Sequence, residues 1–79
     1  MKTTQEIMRT MRFNARQGLA LHIGIITDRK FKMLSKAVED FKRDTEIDKK
    51  LGVINEEEYN ADVKAYELMK KSLATADII

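Results

Sequence analysis

Apolar residues recur at three- and four-residue spacing along most of this chain, which is the period of an amphipathic helix. The pattern is strictest over residues 28–51, for which Thr27 is the predicted N-cap and Gly52 the predicted left-handed C-cap. The apolar stripe of this helix consists of Phe31, Leu34, Val38 and Phe41. It is the clearest helix in the sequence.

A first helix is predicted over residues 4–26, because Thr3 and Glu6 have the spacing of a capping box. We expect a kink at Gly18, since an interior glycine costs about 1 kcal/mol relative to alanine. The apolar run LALHIGII within this range has the length of a strand, yet no second β-like segment is available to pair with it. Helix is therefore the prediction for the whole range.

The third predicted helix covers residues 56–74, where Asn55 and Glu58 form a second capping box. Beyond it, the chain to residue 79 is expected to fray unless a neighbouring chain covers it. Three helices joined by short turns predict one all-α domain, either a small up-down-up three-helix bundle or a long helical hairpin with a third helix.

Periodicity also predicts which side chains are buried and which are left over. The predicted core is Met8, Met11, Leu19, Ile23, Ile26, Phe31, Leu34, Val38, Phe41, Leu51, Ile54, Tyr59, Val63, Tyr66, Met69 and Leu73. Further apolar residues exceed one stripe per helix, and such a surplus on a short chain favours a homo-oligomer. The candidate interface residues are Ile25, Ile47, Leu68, Ile78 and Ile79.

Charge is divided unevenly along the chain. Residues 1–38 contain eight Lys and Arg against two acidic residues, whereas residues 39–79 contain seven against eleven. The modest net charge of +2 therefore combines a basic half with an acidic half.

The stretch MRTMRFNAR in the basic half places three arginines at helical spacing. Two explanations compete for this row of arginines. In a helical hairpin that turns near Thr27, Arg9 and Arg12 approach Asp40, Asp44 and Asp48, which gives an internal salt-bridge ladder. Alternatively, they form a surface that binds acidic groups, nucleic acid or a nucleotide. The candidate binding residues are Arg9, Arg12, Phe13 and Arg16, with Arg29 and Lys30 as a second patch.

Catalytic chemistry is not predicted. His22 is the only histidine, and no serine lies at a spacing that would make it a nucleophile. The chain has no cysteine, which excludes disulfides and thiolate metal sites, and the acidic cluster at residues 56–58 is explained by the helix dipole. We predict a non-enzymatic, cytoplasmic protein with no cofactor, no metal and no membrane span.

The stretch KKLGVINEEEYNADV is similar to a turn found in short oligomerisation domains of bacterial and phage proteins, in which a helix end is followed by Gly, an apolar pair, a cap and an acidic helix start. Its residues are general capping residues and identify no family. The small size, the lack of cysteine and the absence of a catalytic motif are typical of an accessory protein that acts by binding another protein, such as an adaptor or a phage inhibitor, and the apolar surplus adds self-association.

Overall fold

Three helices that pack against one another form this protein, which confirms the predicted all-α three-helix fold. The computed structural model describes residues 2–79. Two short strands, which were not predicted, pair beside the helices. In chain order the elements are α1 (Thr4–Arg16), β1 (Gly24–Ile26), α2 (Asp28–Leu51), α3 (Glu56–Leu73) and β2 (Ala76–Ile78).

The helix starts follow the capping residues predicted from the sequence. The Thr27 hydroxyl accepts the Lys30 N–H at 3.2 Å, and the Thr3 hydroxyl caps α1 in the same way. Asn55 accepts the N–H of Glu58 at 2.8 Å, while the Glu58 carboxylate accepts the N–H of Asn55 at 3.1 Å. Each of these bonds satisfies an amide that has no partner inside its helix, so helix starts are encoded locally.

The predicted helix over residues 4–26 is wrong beyond Arg16. Gly18 has φ +81° and Gly24 has φ +79°, both in the left-handed region that glycine tolerates. The N–H of Leu19 turns back to the carbonyl of Asn14 at 2.9 Å, which closes the end of α1. Two left-handed glycines stop the helix, and the chain between them extends.

The LALHIGII run does have a strand partner, contrary to the sequence prediction. β1 pairs in parallel with β2, which places Gly24 opposite Ala76 and Ile26 opposite Ile78. The N–H of Ile79 also donates to the carbonyl of Ile26 at 3.1 Å. The prediction that residues 74–79 fray is therefore corrected, because this segment forms the second strand.

Two hydroxyl groups at the end of α3 fix the extended segment that precedes β1. Ser72 Oγ accepts the N–H of Leu21 at 2.8 Å and donates to the carbonyl of Leu68 at 3.0 Å. Thr75 Oγ1 accepts the N–H of Ile23 at 2.8 Å and donates to the carbonyl of Ser72 at 2.6 Å. Side chains here take the place of strand carbonyls and lengthen the pairing beyond three residues.

The core lies where all three helices and β1 meet. Its buried apolar residues are Ile7, Met8, Met11, Ala15, Ile26, Leu34, Val38, Ala65 and Met69. The prediction of burial is wrong for Leu19, which follows the end of α1, and for Leu51, which is 73% exposed at the last position of α2. Helix α2 has 24 residues and α1 has 13, so α2 extends well beyond α1. The end of α2 is therefore not covered by α1.

Polar side chains link α2 to α3 along their exposed side. The Tyr59 hydroxyl and the Lys42 ammonium both donate to Glu46 Oε1 at 2.7 Å. These two hydrogen bonds, with that from Lys42 the larger cause, lower the pKa of Glu46. The hydrogen bond to Glu46 correspondingly raises the pKa of Tyr59.

The lowered pKa of Glu46 predicts a pH-dependent contribution to stability. A carboxyl whose pKa is lower in the folded state stabilises the fold above its unfolded pKa of about 4.3, and this contribution is lost as the pH falls through the folded value. Urea unfolding at pH 7 and pH 3 checks this. We expect Glu46→Gln to lower the unfolding midpoint at pH 7 and to differ less from wild type at pH 3; an equal difference at both values would contradict it.

Candidate functional site

The arginine row lines an open groove between α1 and the first half of α2, with a volume of about 710 Å³. We call this surface the arginine groove. Its lining residues are Thr4, Gln5, Met8, Arg9, Arg12, Phe13, Arg16, Met33 and Ala37. The structure thus brings four of the six predicted binding residues into one site and adds an apolar wall from α2.

Helical spacing places the arginines on this side of α1. Positions 9, 12 and 16 are three and four residues apart, so they follow one another along one face over about 10 Å. Another face of α1 carries Met11 and Ala15, which are buried against the other helices. Packing of that apolar face holds the arginine face toward solvent and toward α2.

The predicted salt-bridge ladder between α1 and α2 is absent from residues 2–79. Arg9, Arg12 and Arg16 form no ion pair there. Asp40 instead binds Lys36 at 3.0 Å and Arg43 at 3.3 Å. The hydrogen bond from Lys36 is the largest cause of the lowered pKa of Asp40.

The direction of α1 explains why the ladder does not form. Thr4 shares a hollow with Arg29 at the start of α2, while Arg16 shares another with Ile54 and Glu58 at the start of α3. The start of α1 therefore lies beside the start of α2, and the extended segment after Arg16 leads the chain back. The hairpin register that pairs the arginines with Asp40, Asp44 and Asp48 is wrong.

Two large apolar side chains are exposed inside the arginine groove. Phe13 is 64% exposed and Met33 is 49% exposed. Exposed apolar side chains that line one concave surface are typical of interaction sites, whereas isolated ones are common anywhere. Neither Met33 nor Ala37 was predicted as a binding residue; their i, i+4 spacing on α2 was the available signal.

The second predicted patch adjoins the arginine groove. Arg29 and Lys30 line a hollow with Lys2, and Met33 and Thr4 border both this hollow and the groove. Arg29 is exposed and forms no ion pair within residues 2–79. Positive charge therefore continues from the groove to the first turn of α2.

The predicted interface residues fall in three separate places. Ile25, Ile78 and Ile79 lie on or next to the two strands, and all three are exposed. Ile47 is exposed on α2, one turn before Leu51. Leu68 is partly buried and lines the hollow between the end of α1 and α3.

The sequence raises three further possibilities, which are catalysis by His22, metal binding and membrane insertion. His22 is exposed and lines a cavity beside β1. Among residues 2–79, no group of three His, Asp or Glu side chains is placed to hold a metal ion. None of the helices in this described range is long and apolar enough to cross a membrane.

Comparison with known proteins adds no assignment. No protein-family model matches the chain, and no curated protein or solved structure shows significant similarity to it. Functional inference therefore depends on the residues of this chain and their arrangement.

Proposed function

We propose that this protein is a non-enzymatic, cytoplasmic binding protein whose arginine groove receives an acidic, amphipathic segment of a partner protein. The observation that carries this proposal is the exposure of Phe13 and Met33 in a groove bordered by arginines that form no ion pair within residues 2–79. A helix with one acidic and one apolar face has the chemistry to satisfy both features.

Each type of residue contributes a different part of such binding. Arginine side chains bind carboxylates through two parallel N–H donors, which orients the partner. Burial of Phe13 and Met33 removes apolar surface from water and supplies most of the affinity. Because exposed charges are screened by salt, the arginines contribute mainly to specificity and association rate.

Replacement of Arg9, Arg12 and Arg16 by glutamine tests this proposal. We expect the free energy of unfolding to change by no more than about 0.5 kcal/mol, because these side chains form no ion pair in the described part of the chain. Affinity for a labelled helical peptide with glutamates at i, i+3 and i+7 should fall by about tenfold or more. Fluorescence anisotropy at low and physiological salt measures the affinity.

The matched control replaces Arg43, Lys64 and Lys71, which lie outside the groove, by glutamine. This variant carries the same loss of charge and should keep the peptide affinity. Equal losses of peptide affinity in both variants would show that binding depends only on net charge. That result would contradict binding in the arginine groove. Unchanged affinity after the groove substitutions would also contradict the proposal.

The second candidate is binding of nucleic acid or a nucleotide through the same arginines. It is favoured by Arg29 and Lys2, which extend the positive charge beyond the groove. A labelled single-stranded oligonucleotide, titrated in parallel with the peptide, separates the two candidates. Tighter oligonucleotide binding with a steep salt dependence, lost on arginine replacement, would assign the surface to nucleic acid.

We also propose that copies of this protein associate through the exposed end of α2. Ile47, Leu51 and Val53 are exposed there, and i, i+4 spacing places the first two on one face. Such a surface is self-complementary when two copies are related by a two-fold axis.

Sedimentation equilibrium tests this association. The wild type should show a mass above that of the 9.2 kDa chain, and Ile47→Asp should shift it toward the monomer without unfolding. Met33→Asp, a charged substitution in the arginine groove on the same helix, is the control and should leave the mass unchanged. A wild-type mass that equals the monomer at all concentrations would contradict this proposal.

A further inference from the structure

A second cavity of about 320 Å³ lies beside β1, on the side of α1 opposite the arginine groove. Residues 21–27, with the exception of Gly24, form one wall. Lys2, with Ile7 and Thr10 of α1, forms the other wall, and Lys30 and Ile79 complete the lining. The volume is at the lower end of the range of ligand-binding pockets.

This cavity follows the free edge of β1. Successive side chains of a strand point to opposite faces, so a space beside one face contacts only alternate residues. Ile25 and Ile26 both line the cavity, so it does not lie under a single face of β1, and Ile79, which follows β2, also lines it. The other edge of β1 is already paired with β2.

Within the described residues, the main-chain groups of Ile25 are not used in the pairing of β1 with β2. The carbonyl of Ile26 accepts the N–H of Ile79 and therefore points toward β2. Because main-chain donors and acceptors alternate between the two edges of a strand, the N–H and C=O of Ile25 point toward the free edge. β1 has no proline or lysine, residues that commonly block pairing at an exposed edge.

The side chains around the cavity define what it accepts. Its lining is mainly aliphatic, and Ile25 is 70% exposed. Lys2, Lys30 and His22 are the basic residues of the lining, whereas none of the described lining residues is acidic. An occupant that complements these features has aliphatic side chains and a negative charge.

We propose that the free edge of β1 binds an extended segment of a partner protein, which adds as a third strand and carries aliphatic residues around an acidic one. The main chain of the segment pairs with the N–H and C=O of Ile25. Its aliphatic side chains enter the space between β1 and α1, and its carboxylate faces Lys2 and His22. This site is separate from the arginine groove and does not depend on the function proposed for it.

The test uses the full chain and a capped peptide of alternating valine and threonine with one central glutamate. Binding is followed by NMR, and hydrogen exchange of the Ile25 amide is measured at saturating peptide. We expect this amide to exchange at least about tenfold more slowly with the peptide bound, because pairing buries its N–H in a hydrogen bond. The same peptide with N-methyl groups on alternate amides should not bind, and replacement of its glutamate by lysine should weaken binding about tenfold.

A protein variant locates the site independently. Thr10→Trp fills the cavity from α1 and should abolish binding, while circular dichroism checks that the helices are retained. Asn60→Trp, on the exposed side of α3, is the matched control and should bind as wild type. No binding of the glutamate peptide at about 1 mM, binding that survives N-methylation, or binding unaffected by Thr10→Trp would overturn the proposal. Exchange at Ile25 that slows with protein concentration alone would also overturn it, because a second copy would then occupy the edge.

Discussion

Truncation of Met11 to alanine is expected to lower the free energy of unfolding by about 2–5 kcal/mol. Met11 is fully buried where α1 packs against the rest of the core, beside Met69 and Leu34, which are also fully buried. Removal of its side chain loses the transfer free energy of the buried atoms and leaves a cavity. For a domain of this size, the expected fall in melting temperature is about 10 °C or more.

Phe13→Ala is the control for Met11→Ala, because it removes a larger side chain two residues away on the same helix. Phe13 is mostly exposed in the arginine groove, so its truncation should change stability by less than about 0.5 kcal/mol. Urea unfolding followed by circular dichroism measures both variants. Equal destabilisation by the two substitutions would show that Phe13 is buried in solution and would remove the apolar part of the proposed groove.

Loss of the two hydroxyl groups that hold the extended segment is expected to have the next largest effect. Ser72→Ala combined with Thr75→Val leaves the N–H groups of Leu21 and Ile23 without their acceptors. An unsatisfied amide costs about 1–3 kcal/mol when it is fully buried, and these two are partly buried, so the double variant should lose about 2–4 kcal/mol of stability. Hydrogen exchange of these two amides should accelerate more than exchange within α2.

Ser35→Ala is the matched control for this double variant. Ser35 lies on α2 and makes no hydrogen bond through its side chain among residues 2–79. Its replacement by alanine should be neutral or slightly stabilising, since alanine is the better helix former. If the double variant unfolds at the same urea concentration as this control, the two hydroxyl groups do not anchor the segment.

The candidate binding site was only partly predictable from the sequence. The spacing of Arg9, Arg12 and Arg16 places them on one face of a helix whatever the tertiary structure is. Whether that face meets acidic residues depends on the direction of α1 relative to α2, which no local pattern encodes. Met33 became part of the site only because α1 packs against the first half of α2.

Burial shows the same division between local pattern and tertiary arrangement. Periodicity correctly predicted Leu34 and Val38, which lie in the first half of α2 and are fully buried. It failed for Leu51, because the end of a long helix extends beyond its shorter neighbours. A periodic stripe identifies the face that is apolar, whereas the lengths of the other elements determine how much of that face is covered.

The sequence by itself determined the three helix starts, the left-handed turn at Gly52 and the alignment of the arginines, because capping and helical spacing act over three or four residues. Only the tertiary structure decided that residues 24–26 form a strand. Their partner lies about fifty residues away at 76–78, and an apolar run can form helix or strand until such a partner is present. The free edge of β1 exists only because of that distant pairing, whereas the arginine groove depends on how α1 lies against the first half of α2.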